Sequence, residues 1–457
     1  MKGNRAIDRY LAQYSLRPGA LPELRQHWQH VMVVPSYDES PDFLATWQHS
    51  YQNTSLLIVL VLNRPDGSDH AVNEPVRAAL ETYPTATLGE GYFLSHLNDS
   101  CSVLSVDLDR LEGPAPANEG VGRARRVGCD LALALQHRGV IETHWIYSGD
   151  ADAIWPADLF TTSWPDEASA VVVPFVHRFE EHHPHLSPDQ EAIRTATELY
   201  ELKLHHYVLQ LQALDSPYGF HVLGSSCLFN SSAYASVRGM PLRSAAEDFY
   251  LLNKLAKVAP VFCATGHGVT IVPRLSARVP FGTGPAVGKL LAVENIFHEP
   301  LFYDARCFDV LGRLCNLFSI WTESPETNTL EQLVSEFGPA VATDLHQLLD
   351  QWEYPKAIAH IHRAGSTTIE RKNHITTWLD GFRILKIIHL LRDRHYSNLS
   401  CLESLSDPSQ WPVTHDATPA GLLRAVHRHL GWFTPSAEQS VPAELGKEKS
   451  KLIGTLL

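Results

Sequence analysis

His144-Trp-Ile-Tyr-Ser-Gly-Asp-Ala-Asp152 is an apolar run that ends in two aspartates separated by one small residue. Alternate residues of a strand point to the same side, so a strand stopping here aims the carboxylates of Asp150 and Asp152 at one point and turns Ala151 away. Two hard oxygen donors at that spacing suit a divalent cation, Mn or Mg, and such a cation carries a diphosphate. The same pattern also reads as a polar turn capping a buried strand. What surrounds it decides between the two.

Working outward, short apolar runs alternate with helical patterns, which predicts an α/β fold, a mostly parallel sheet flanked by helices. Val31-Met-Val-Val-Pro35 reads as the first strand, and 40–51 as a helix opened by Ser40-Pro41. Leu56-Leu-Ile-Val-Leu-Val-Leu62 is an unbroken apolar run, the pattern of a strand buried on both faces. Helices are expected over 74–82, with Asn73 as cap, and over 120–138, followed by the strand 143–147 that delivers the aspartates. Then come a strand over 170–175, a long helix over 189–214, a helix over 246–258 and a strand over 269–273. From about 285 the pattern turns helical, with members at 330–337, 340–352, 375–393 and 422–430. The expected organisation is a lead-in over 1–30, an α/β domain over 31–285, a helical region over 286–435 and a loose tail over 436–457.

Composition agrees with a large globular chain. Its 457 residues exceed the roughly 250 to 300 at which one core stops growing. With 44% apolar and 19% charged residues there is enough side chain for a sizeable core. A net charge of -14 argues against nucleic acid or anionic lipid as a partner, since either calls for a basic face. No stretch reaches the roughly 18 to 20 continuous apolar residues of a membrane span. Seven cysteines, at 101, 129, 227, 263, 307, 315 and 401, are scattered singly. A reducing cytoplasm is expected.

Four segments together resemble a family 2 type glycosyltransferase of the GT-A fold, over about 31–284. They are Val33-Val-Pro-Ser-Tyr-Asp-Glu39, Gly120-Val-Gly-Arg-Ala-Arg-Arg-Val-Gly128, Ser148-Gly-Asp-Ala-Asp152, and the stretch from Gly224-Ser-Ser-Cys227 through Val237-Arg-Gly-Met-Pro241 to Ala246-Glu-Asp-Phe249. The resemblance implies sugar transfer from a nucleotide-diphosphate donor to an acceptor hydroxyl on a glycan, a lipid-linked carrier or a small molecule. It implies that Pro35, Tyr37 and Glu39 line the nucleotide pocket, that Arg123 and Arg126 face phosphate, and that Asp150 and Asp152 hold the metal. It also implies Asp248 as general base, taking the acceptor proton as oxygen attacks the anomeric carbon. The alternative for this last segment is that Ser244-Ala-Ala-Glu247 forms a capping box and the acids merely begin a helix. The family's second strand usually ends in paired aspartates. Here Leu62-Asn-Arg-Pro-Asp66 stands instead, so Asn63 or Asp66 is expected to contact base or ribose.

Two further features bear on the donor. Pro273-Arg-Leu-Ser-Ala-Arg-Val-Pro-Phe-Gly-Thr-Gly284 combines Arg274 and Arg278 with a glycine turn, a set that can wrap an anion or serve as an interdomain linker. His267, between two glycines, is a candidate third metal ligand, as a late histidine is in some GT-A enzymes. His177, His182, His183 and His185, interspersed with Glu180 and Glu181, read as a solvated loop rather than a metal site, because no helical His-x-x-x-His pair is present. The competing functions are nucleotidyl transfer, a phosphatase with Asp150 as nucleophile, and a noncatalytic sugar-nucleotide scaffold.

Overall fold

All seven aliphatic residues of Leu56–Leu62 are buried, between a parallel neighbour on either side. The computed structural model describes residues 2–16, 23–178, 187–275, 278, 282–327, 329–414 and 418–432. The chain divides into two units, one of Met1–Thr197 and Val222–Gly288 with Leu430, Gly431 and Trp432, the other of Glu198–His221 and Lys289–His429.

The first unit contains β1 (His30–Ser36), β2 (Leu56–Leu62), β3 (Thr85–Gly89), β4 (Tyr92–His96), β5 (Cys101–Asp107), β6 (Trp145–Ser148), β7 (Ala153–Ile154), β8 (Ala170–Val172), β9 (Phe175–His177), β10 (Cys227–Asn230), β11 (Val261–Cys263) and β12 (Val269–Ile271). Nine form one sheet in the order β11-β8-β10-β6-β1-β2-β5-β4-β3, and β7-β12-β9 form a smaller one. The central four, β6-β1-β2-β5, are parallel, while β10 and β4 join them antiparallel. A mostly parallel α/β sheet flanked by helices is therefore present, as expected. The Gly120–His137 helix packs on β1 and β2. It comes so close that a Cβ on Gly128 would lie 2.4 Å from Val33 Cγ1 and 3.1 Å from Val61 Cγ2.

Several elements depart from the expected ones. β5, Cys101-Ser-Val-Leu-Ser-Val-Asp107, is a fully buried central strand whose serines are small enough to hide and disguise it. The strand expected over 170–175 is split by Pro174, which has no N–H for a ladder, so β8 joins the large sheet and β9 the small one. The helix expected from Ser40 begins at Phe43, because the Ser40 hydroxyl donates to Asp42 Oδ2 at 2.6 Å instead of capping. Asn73 precedes the Glu74–Glu81 helix without capping it, and its side chain donates to the Asn63 carbonyl at 2.9 Å.

The lead-in is structured. The Lys2–Gln13 helix is anchored by Tyr10, whose hydroxyl donates to Asp130 Oδ1 at 2.6 Å. Tyr234 donates to the same oxygen at 2.8 Å and the Leu16 N–H to Asp130 Oδ2 at 2.6 Å.

The second unit is mainly helical. Its Leu330–Phe337, Pro339–Gln351 and Pro419–Leu430 helices match the expected ones closely. The single helix expected over 375–393 is two, Thr368–Trp378 and Gly381–Arg394, because Asp380 accepts from Arg383 N at 3.1 Å and starts a new helix. Among the described residues no helix is long and apolar enough to cross a membrane. The tail from 433 onward lies outside the described residues.

Candidate active site

Strand order fixes where a ligand can sit. From β1 the chain steps to β2 and β5 on one side, then returns through the Gly120–His137 helix to place β6 on the other edge of β1. In an open α/β sheet, ligands bind beyond the carboxyl ends of the strands where the order reverses. β1 ends at Ser36 and runs into Tyr37-Asp38-Glu39; β6 ends at Ser148 and runs into Gly149-Asp150-Ala151-Asp152. Asp38 takes a φ of 54°, a left-handed turn that aspartate tolerates, and its N–H donates to Asn73 Oδ1 at 3.3 Å.

Two chains of ion pairs meet in this crevice. The inner one centres on Arg125, whose side chain is 4% exposed. It donates to Asp150 Oδ1 at 2.6 Å, to Glu247 Oε1 at 2.8 Å, and to Ser148 Oγ and the Gly149 carbonyl at 3.0 Å each. Gly224 makes room for it, since a Cβ there would lie 2.9 Å from the guanidinium. In the outer chain Arg274 donates to Asp152 Oδ2 at 2.7 Å and grips both oxygens of Glu39, at 2.7 and 2.9 Å. Arg278 donates to the Tyr37 carbonyl at 2.8 Å and also to Glu39. All four segments of the resemblance thus contribute to one cluster.

Desolvation governs the charges here. It pushes Glu247 up to about 7, with Asp248 adding to the rise and Arg125 opposing it. It likewise raises Asp150 to about 6, opposed by Arg125 and reinforced by Asp152, and raises Asp248 against the pull of Arg125. Among the described residues, Asp150 Oδ2 and Asp152 Oδ1 accept no hydrogen bond, which leaves each aspartate one carboxylate oxygen for a hard cation. The donor set fits Mn or Mg.

The other expected site residues fall as follows. Pro35 lies within β1, buried opposite Val61. The Asn63 N–H donates to the Ser36 carbonyl at 3.1 Å, so it ties together the ends of β1 and β2. Arg123 and Arg126 do not join the cluster. Arg123 pairs with Glu112 and, at 2.7 Å, with Glu119; Arg126 donates to the carbonyls of Met240 and Tyr14 at 3.2 and 2.8 Å. His267 lies 3.6 Å from Asp158 Oδ2, both side chains being exposed, whereas among the described residues Asp150 and Asp152 pair with Arg125 and Arg274. The capping box at Ser244 is absent. The Glu247–Leu255 helix starts after Ala246, whose φ is 57°, and the Glu247 carboxylate goes to Arg125. Asp248 sits in the first turn, its Oδ1 accepting from the Phe249 N–H at 2.7 Å. His182, His183, His185, Glu180 and Glu181 lie outside the described residues.

Arg125 is the residue that sequence reasoning passed over in favour of its neighbours. The signal was present: Gly122, Arg125, Cys129 and Ala132 are spaced three, four and three apart, all buried, so Arg125 is a charge on the inward stripe of its helix.

No protein-family model matches the sequence, and a search of curated proteins finds no match. Among solved structures, the mannosyltransferase PcManGT from Pyrobaculum calidifontis in complex with GDP-Man and Mn2+ aligns over 82% of this chain and 92% of its own, at 17% identity and a TM-score of 0.30. A TM-score of that size transfers no residue correspondence. The candidate site rests on its own geometry, two aspartates with open oxygens at the switch point of an α/β sheet, held by arginines.

Proposed function

We propose that the chain is a metal-dependent glycosyltransferase of the GT-A kind, moving a sugar from a nucleotide-diphosphate donor to an acceptor hydroxyl in a reducing, cytoplasmic setting. The observation that carries this reading is the meeting of Asp152 and Glu39 on Arg274 and Arg278, next to Asp150 on Arg125, beyond the carboxyl ends of β1 and β6.

In this reading Asp150 and Asp152 hold Mn or Mg through their open oxygens. When bound, the cation offsets the negative charge that develops on the diphosphate as the bond to the sugar breaks. Arg274 and Arg278 present planar, bidentate donors that exchange their carboxylate partners for diphosphate oxygens. Pro35, Tyr37 and Glu39 line the nucleotide side, and Asn63 braces the strand ends behind them. Arg125 fixes the Asp150 carboxylate from beneath, which makes it a positioning residue. Asp248 takes the acceptor proton; desolvation raises its carboxyl, which strengthens it as a base. Arg123, Arg126 and His267 have no part in this scheme.

The test is a thermal-shift screen of nucleotide sugars, GDP-mannose and UDP-glucose among them, with and without Mn, on wild type and Asp150→Ala/Asp152→Ala. A donor-dependent shift that needs Mn and vanishes in the double variant supports the reading. Absence of a shift with every donor refutes it.

A further inference from the structure

The second unit holds a cluster of metal-ligating side chains with no part in the reaction proposed above. Glu201 and His205 stand four apart on the Pro188–Ala213 helix and therefore share a face, one turn apart. His427 comes from the Pro419–Leu430 helix. All three belong to the same unit. Glu201 Oε1 lies 3.1 Å from His427 Nε2 and 3.5 Å from His205 Nε2, and the three ligand atoms lie within 4.8 Å of one another. The side chains of Glu201, His205 and His427 are 1%, 0% and 8% exposed.

We propose that Glu201, His205 and His427 form a structural zinc site. A tetrahedral zinc with bonds of about 2.0 to 2.1 Å sets its ligand atoms roughly 3.3 to 3.4 Å apart, and the two short separations here bracket that value. Two imidazoles and a carboxylate suit zinc, whereas Mg and Mn favour oxygen donors. The surroundings also orient a ligand. His205 Nδ1 lies 2.8 Å from Nε2 of His221, itself buried. With His205 ligating through Nε2, its Nδ1 carries the proton and donates to His221 Nε2, an imidazole acceptor standing where metal-bound histidines more often have a carboxylate, carbonyl or water. A structural zinc is four-coordinate, so a fourth ligand joins these three; with all three buried, the site ties together segments 226 residues apart in sequence.

The experiment uses the full chain without a histidine tag, purified without added metal and dialysed against metal-free buffer. Elemental analysis is expected to find close to one zinc per chain in wild type, the same in Asp150→Ala/Asp152→Ala, and a loss of most of it in Glu201→Gln and His427→Gln. If those variants do not fold, wild type exchanged into cobalt decides, through the intense visible absorption of a tetrahedral site. Substoichiometric zinc with no such absorption overturns the proposal and leaves a hydrogen-bonded glutamate–histidine network. Zinc retained unchanged in both variants overturns it as well.

Discussion

Arg125→Met tests whether the floor of the crevice is held by charge. The side chain is 4% exposed and donates four hydrogen bonds, to Asp150, Glu247, Ser148 and Gly149. Methionine keeps much of the volume but leaves Glu247, itself 5% exposed on its side chain, without its cation. Breaking a buried charged pair from one side costs roughly 3 to 5 kcal/mol, a cost reached in full only where Glu247 is ionised, above about pH 7. The loss carries a pH signature. The folded-state carboxyl of Glu247 titrates at about 7, against about 4.3 in the unfolded chain. The folded state therefore holds the proton over that interval, and stability from this group falls as pH rises from about 4.3 to 7. Without Arg125 the folded carboxyl moves higher still, so the destabilisation grows between pH 6 and 9. Urea titrations of wild type, Arg125→Met, Glu247→Gln and the double variant, followed by tryptophan fluorescence, measure this. The double variant is expected to recover at least about 1 to 2 kcal/mol of the sum of the single effects, with a flattened pH dependence. Additive single effects, or an Arg125→Met cost that does not change with pH, refute the argument.

Arg274→Ala frees Asp152 from its guanidinium partner, so Mn affinity without donor should rise a few-fold, in keeping with about 1 kcal/mol for a partly exposed pair, while donor affinity falls; calorimetry with Mn alone and with donor reads both. Gly128→Ala drives a methyl to 2.4 Å from Val33 and should cost roughly 1 to 3 kcal/mol in chemical denaturation. In the second unit, burial lowers His206 to about 4. The unfolded chain therefore binds the proton first, and stability is lost as pH falls from about 6.5 to 4, by at most roughly 3 kcal/mol for this group. His206→Phe should flatten that slope, as followed by circular dichroism.

The legible parts of the fold were those whose physics is local. An all-aliphatic run such as Leu56–Leu62, too short for a typical helix, reads as a strand buried on both faces. The Asp150/Asp152 pair was visible because a strand feeds it. Long-range partners were not visible. Nothing near Arg125 in sequence points to Glu247, 122 residues away, or reveals that Arg123 turns to Glu112 and Glu119 instead. β5 was hidden by serines that a pattern of hydrophobic periodicity counts as polar. The Glu201–His205 pair was present as a helical spacing, but His427 completes it only through the packing of a helix over two hundred residues later.

The anchoring of the Lys2–Gln13 helix bears on how the chain assembles during synthesis. Tyr10 is 120 residues from Asp130, and Tyr234, on the same carboxylate, is a further 104 residues on. At translation rates of about 5 to 20 residues per second, Tyr10 is synthesised roughly 6 to 24 s before its aspartate, and that aspartate precedes Tyr234 by roughly 5 to 21 s. The amphipathic helix therefore faces the nascent-chain environment with its apolar side uncovered, and it docks only as a late step. Its accessibility to a protease or a chaperone in stalled chains, compared with released ones, reports the moment of that closure.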